Sequence, residues 1–111
     1  MNRSIRRGDI WWVRLDSRIG GEIKKERPAV VVSNNSSNKH LNRVQLIPLS
    51  SHTGKVFPSE AVVTIKGLPN KAMADQIMTA SKQRLSNKIG SVTKKELLSI
   101  EAAIRIQLAI S

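Results

Sequence analysis

Apolar residues fall along this chain in short blocks separated by polar, turn-forming stretches, a pattern that predicts several strands and one helix. The first block, Asp9 to Asp16 (DIWWVRLD), sets Ile10, Trp11, Trp12, Val13 and Leu15 around Arg14, just after the turn signal Gly8. Successive strand residues face opposite sides, so Trp11 and Trp12 are expected on different faces, one of them in the core. Pro28 to Ser33 (PAVVVS) reads as a buried strand in which proline suits only the first position. Arg43 to Leu49 (RVQLIPL) reads as a strand ending near Pro48, Ala61 to Ile65 (AVVTI) as one closed by Lys66-Gly67, and Ala74 to Thr79 (ADQIMT) as a short one. Between them, Ser17 to Glu26, with adjacent Gly20 and Gly21, reads as a long exposed loop. Asn34 to Asn42 reads as a polar, mobile connection, Ser50 to Lys55 as a loop, and Ser81 to Leu85 as a single helical turn.

The last segment is helical. Thr93-Lys94-Lys95-Glu96 has the form of a capping box, in which the two side chains each satisfy the other's backbone amide. Leu97, Ile100, Ile104 and Leu108 follow as one apolar stripe, while Ala102, Ile106 and Ala109 add apolar surface elsewhere, so cover on both sides is expected. There are no repeats, linkers or low-complexity tracts. These elements sum to one domain over residues 1–111, a small, mainly β barrel or half-barrel with helical cover.

Composition narrows the function. The absence of cysteine excludes a disulfide framework and thiolate zinc sites. His40 and His52 lie in predicted loops without a neighbouring carboxylate, and lone loop histidines are ordinarily solvated. Lys and Arg number 19 against 8 Asp and Glu, a net charge of +11. Such an excess favours a polyanionic partner, nucleic acid ahead of membrane, since no apolar run approaches the ~20 residues that span a bilayer. The N-terminus lacks the apolar core of a signal peptide, so a cytoplasmic protein is expected. No GxxxxGK[ST] or GxGxxG motif appears, and the carboxylates are too scattered for a two-metal nuclease. No metal or cofactor is expected.

What remains is arginine with hydroxyls. Arg27 stands at the mouth of the Pro28 strand, and its planar five-donor fork suits a phosphate or a phosphorane. Taken alone, a pre-proline arginine reads first as a solvated strand end. RRGDIWWVRLD, GGEIKKERPAVVVSNN, VQLIPLSS and ADQIMTASKQRL, in that order and spacing, resemble the MazF/PemK (Kid) toxin family over about the whole chain. The resemblance implies a small SH3-like, CcdB/PemK-type β-barrel with short helices and a C-terminal helix. It also implies a homodimer that cleaves single-stranded RNA at short preferred sequences without metal, silenced by a cognate antitoxin, expected to be acidic.

On that resemblance Arg27 takes the catalytic arginine position and Glu22 matches a catalytic loop glutamate. Ser50 stands where the family has a threonine, with Ser51 and Thr53 close behind, so Ser50 and Ser51 compete for the hydroxyl role. Ser51, His52, Asp75, Gln76, Arg84, Lys24 and Lys25 are the implied RNA-binding residues; Asp75 and Gln76 read equally as a structural strand-edge pair. The implied chemistry is attack by a ribose 2′-hydroxyl on its own 3′-phosphate, with the protein supplying alignment and charge. Two rival readings stand beside it. One is a non-catalytic, CcdB-like toxin that binds a topoisomerase through its C-terminal end, and the other a single-strand-binding barrel.

Overall fold

The computed structural model describes residues 3–15 and 26–111. In chain order these form β1 (Asp9–Arg14), β2 (Glu26–Val31), α1 (Asn35–His40), β3 (Arg43–Ser50), β4 (Glu60–Ile65) and β5 (Leu68–Met73). There follow a 3₁₀ turn (Ala74–Gln76), β6 (Met78–Ser81), a second 3₁₀ turn (Lys82–Arg84), β7 (Leu85–Ser91) and α2 (Lys94–Leu108). The strands make one curled antiparallel sheet in the order β4-β5-β3-β2-β1-β7, with β6 attached to β3. Of the expected barrel or half-barrel with helical cover, the structure is the half-barrel.

Strand β3 organises the sheet. Along one side it pairs with β2, Ala29 opposite Pro48 and Val31 opposite Leu46. Along the other it pairs with β6 from Arg43 to Leu46, then with β5 at Leu49–Ala72 and Ser50–Lys71. Pro48 falls in the interval between these two partners, where its missing N–H costs least. The strand therefore continues to Ser50 instead of ending near Pro48, and Ser50 belongs to a strand rather than a loop.

Strand alternation divides the core in two. Ile10, Val30, Val32, Ile47, Leu49, Ala61 and Val63 face α2, which adds Ile100 and Ala103. Trp11, Val13, Ala29, Val31, Val44 and Leu46 form a second cluster with Ile5, Ala80 and Leu85. Both halves are fully buried at their centres, which is why β2 reads as an unbroken apolar run.

Several elements depart from the sequence expectation. Asn34–Asn42 contains α1, capped by the Asn34 side chain on the Ser37 amide at 2.8 Å. Its Asn38 is buried; Nδ2 donates to the Ser33 carbonyl at 2.9 Å and Oδ1 accepts from Ser33 Oγ at 2.5 Å. Those bonds anchor a stretch whose polarity alone suggests a mobile loop. The expected strand over Ala74–Thr79 is a 3₁₀ turn followed by β6, because pairing with β3 starts only at Met78. Strands β5 and β7 were not expected: LPNKAM carries little β propensity, and β7 is offset against β1 by two bulges that erase its alternation.

The capping box of α2 is present and carries an additional load. Glu96 accepts from the Thr93 amide and, through its other oxygen, from the Thr64 amide of β4, both at 2.8 Å. At the other end Ala109 turns left-handed and the Ile110 amide closes on the Arg105 carbonyl at 2.9 Å. Ile100 and Ala103 are buried, whereas Leu108, expected on the core stripe, is exposed with Leu98, Ala102, Ile106 and Ile110. Glu96→Ala should destabilise the protein by about 1–2 kcal/mol. It should cost more than Thr93→Ala, since it abandons two backbone amides instead of one. Urea denaturation with an unchanged m-value measures both, and the reverse order would remove the Thr64 tie from the account.

Candidate active site

The β2–β3 ladder stops at Ala29–Pro48. Continued by two residues, its register would set Arg27 level with Ser50, but there β2 keeps only β1 as a partner, with Arg27 opposite Val13. Arg27 and Ser50 thus end two strands that have parted, on the same alternation side. At this fork lies a cavity of about 700 Å³. Arg27, Ser50, Ser51, His52, Glu26 and Lys66 supply polar groups to it, and Trp12, Pro28, Leu49, Ile65 and Ile89 its apolar walls. Trp12 reaches it because it shares the face of Ile10 and stands opposite Pro28, while Trp11 turns into the second core cluster.

The guanidinium of Arg27 is exposed and, among the described residues, has no hydrogen-bond or ion-pair partner, so all its donors remain for an incoming anion. The Ser50 hydroxyl accepts from the His52 amide at 3.1 Å. That bond fixes the oxygen and leaves its O–H free to donate. Ser51 is exposed and makes no comparable bond, so the geometry favours Ser50 as the oriented hydroxyl. Lys71 stands opposite Ser50 on β5, but its ammonium is engaged by Glu60 at 3.3 Å and by the Lys55 carbonyl at 3.1 Å. Phe57 lies beneath Lys55 and Lys71, 5.2 and 6.0 Å from the ring centre.

The remaining candidates divide. His52 lines the cavity, whereas His40 sits on α1 with its Nδ1 3.0 Å from the Ser36 carbonyl, so the two imidazoles do not share a site. Asp75 and Gln76 are exposed on the 3₁₀ turn and do not line the cavity; the Gln76 amide contacts Met73 sulfur at 3.6 Å. Arg84 donates to the Arg14 carbonyl at 3.0 Å and also lies outside the cavity. Glu22, Lys24 and Lys25 lie outside the described residues. Sequence reasoning missed Lys66, Glu26 and Asn70. Lys66 had a signal: with φ of +49° and +80°, Lys66-Gly67 is the two-residue hairpin turn between Ile65 and Leu68, which puts the lysine at a tip. Asn70 had none, since Pro-Asn-Lys does not read as a strand.

Among the described residues no three His, Asp or Glu gather to hold a metal, and no helix is long and apolar enough to cross a membrane. A curled antiparallel sheet under one C-terminal helix thus carries an exposed arginine and an oriented hydroxyl at the fork of two strands. The chain belongs to the family of PemK-like, MazF-like toxins of type II toxin–antitoxin systems, whose sequence model matches residues 6–108. It is 37% identical over 113 residues to endoribonuclease MazF9 of Mycobacterium tuberculosis, covering 94% of this chain and 96% of that one. The endoribonuclease toxin MazF of Escherichia coli is 33% identical over 100 residues, 89% of each chain. A solved endoribonuclease in complex with its cognate antitoxin, from a mycobacterial species, matches with a TM-score of 0.81 at 25% identity over 96% of both chains. MazF from Deinococcus radiodurans shares the fold at a TM-score of 0.80 and 19% identity, over 97% of this chain and 99% of that one.

The two indoles give a check on this geometry. With each ion's quenching expressed relative to its quenching of free N-acetyltryptophanamide, iodide, drawn by Arg27 and Lys66, should quench Trp12 more strongly than caesium does, and Trp12→Phe should leave mainly the shielded Trp11 emission. Equal quenching by both ions would deny the cationic character of the cavity.

Proposed function

We propose that this protein is a cytoplasmic, metal-independent endoribonuclease that cleaves single-stranded RNA, mRNA included, at short preferred sequences, and is the toxin of a toxin–antitoxin pair. The observation that carries the reading is the meeting of free Arg27 and oriented Ser50 at the β2–β3 fork. Family membership and the names of the relatives support it.

The nucleophile is the substrate's own 2′-hydroxyl, which attacks the adjacent phosphorus as the bond to the 5′-oxygen breaks; the leaving 5′-oxygen takes a proton from water, giving a cyclic phosphate and a 5′-hydroxyl. Arg27 holds the non-bridging oxygens as they gain charge, and the Ser50 O–H donates to the same group. A guanidinium carries donors and no acceptor and so cannot take the proton; Glu22, which precedes Arg27 in the chain, is assigned it. DNA lacks the nucleophile and is not cut. Lys24, Lys25, Ser51, His52, Asp75, Gln76 and Arg84 are assigned to RNA binding, with Ser51 and His52 nearest the cleaved bond. An acidic antitoxin segment competes with RNA for the same cations, a role supported by relatives solved with their antitoxins. The outward stripe Leu98, Ala102 and Ile106 packs against a second copy of this chain.

Purified protein should cut single-stranded RNA in EDTA, and Arg27→Ala should lose nearly all activity while melting normally. Ser50→Ala should raise the barrier by on the order of 2–4 kcal/mol, and Ser51→Ala by much less. Metal-free cleavage by Arg27→Ala at the wild-type rate would remove the central claim, and reversed serine effects would move the hydroxyl role to Ser51. RNA binding should weaken linearly on a log–log plot as salt rises, whereas a dimer held by apolar stripes should persist. Sedimentation at micromolar concentration in low and high salt separates these terms, and a monomer throughout would refute the dimer.

A further inference from the structure

Asn70 of β5 lies opposite Val63 and is only 8% exposed, yet it lines the cavity that holds Arg27 and Ser50. Its Nδ2 donates to the Leu68 carbonyl at 3.3 Å. That bond decides the orientation of the amide, because the reversed amide would set oxygen against oxygen. Oδ1 therefore points the other way, and no described group donates to it. Among the described residues no sealed side-chain nitrogen or oxygen lacks a partner, so this oxygen faces open space. An acceptor that opens onto the cavity from an otherwise buried side chain is available to a ligand that brings a donor in place of solvent.

The surroundings indicate what the ligand is. Trp12, 39% exposed, and Leu68, 68% exposed, offer flat and apolar surface beside Leu49, Ile65 and Ile89. Arg27 and Lys66 add cationic groups to the same cavity. Apolar and aromatic walls with one polar group deep between them, next to phosphate-binding cations, suit a nucleobase attached to its phosphate. We propose that the cavity takes a base flanking the cleaved bond and that Asn70 selects it, Oδ1 accepting from the exocyclic amino group of adenine or cytosine. The exocyclic substituent projects furthest from the edge of a base and so is what meets a buried group. The position presented is C6 of a purine or C4 of a pyrimidine: an amino group there donates to Oδ1, the carbonyl of guanine or uracil is repelled, and the 2-amino group of guanine lies at the far end of the edge. Arg27 and Ser50 thus serve the phosphate of any sequence, and Asn70 supplies discrimination.

The inference rests on the RNA-cleaving reading, and the test separates the two. Cleavage sites in a randomised single-stranded RNA are mapped in EDTA for the wild-type and Asn70→Ala proteins, with thermal melting to confirm folding. The wild-type protein should favour adenine or cytosine over guanine or uracil by on the order of tenfold at one position flanking the cut, the worth of one buried hydrogen bond. Asn70→Ala should lose that preference and keep the profile at other positions, a result that a general loosening of the sheet would not give. A second measurement needs no variant: an oligonucleotide whose favoured base lacks only its amino group should be cut about tenfold more slowly by the wild-type protein. An unchanged profile in an active Asn70→Ala protein, a guanine or uracil preference that Asn70→Ala abolishes, or no cost for the missing amino group would overturn the role of Asn70 alone. A wild-type protein that cuts no RNA would overturn the parent reading and this one with it.

Discussion

Strand β3 has to satisfy two sets of neighbours along one of its edges, β6 at its start and β5 at its end, and the site follows from how it does so. A strand that changes partners must bend where the ladders hand over, and Pro48 sits at that interval. Past it, Leu49 and Ser50 pair with β5 and no longer with β2, which continues beside β1 alone. Two strand ends that would otherwise be hydrogen-bonded to each other stand apart, and the space between them is large enough for part of a nucleotide. Both are held by ladders on their far sides, so the opening is made without loosening the core.

The rest of the molecule keeps that fork rigid. Asp9, buried at the start of β1, accepts from the Arg6 amide at 2.8 Å and pairs with Lys88 of β7 at 3.3 Å, tying the N-terminus to the outer strand. Ser33 and Asn38 fasten α1 over the end of β2, and Ser33 Oγ also accepts from the Gln45 amide of β3 at 3.0 Å. Arg7 reaches Glu101 of α2 at 2.5 Å. The lining of the cavity is thus positioned by strands and by polar anchors several residues away.

Much of the fold was legible, and the exceptions share a cause. Strands β1, β2, β3 and β4 and helix α2 announce themselves because their burial is periodic or their caps are explicit. Strands β5 and β7 do not: Asn70 and Lys71 sit in β5 because β4 and β3 flank it, a tertiary demand that overrides propensity. The same separation runs through the site. Arg27 and Ser50, which a family pattern spans, line one cavity; Asp75, Gln76 and Arg84, grouped with them by that pattern, lie outside it. Asn70 was invisible because its interest lies in an unused oxygen, and only coordinates reveal which hydrogen bonds a side chain has left unmade.

The second oxygen of Glu96 bears on how copies of this protein can meet. Strand β4 ends the sheet, and an outermost strand exposes a row of backbone donors and acceptors on which a foreign strand can add. Here the Thr64 donor is already taken by a carboxylate that also holds the start of a helix. An incoming strand would have to displace that carboxylate, uncapping α2 as it did so. The cost falls on the fold itself, so growth of the sheet by edge addition at Thr64 is opposed, whereas the exposed apolar face of α2 can be covered without breaking any backbone bond.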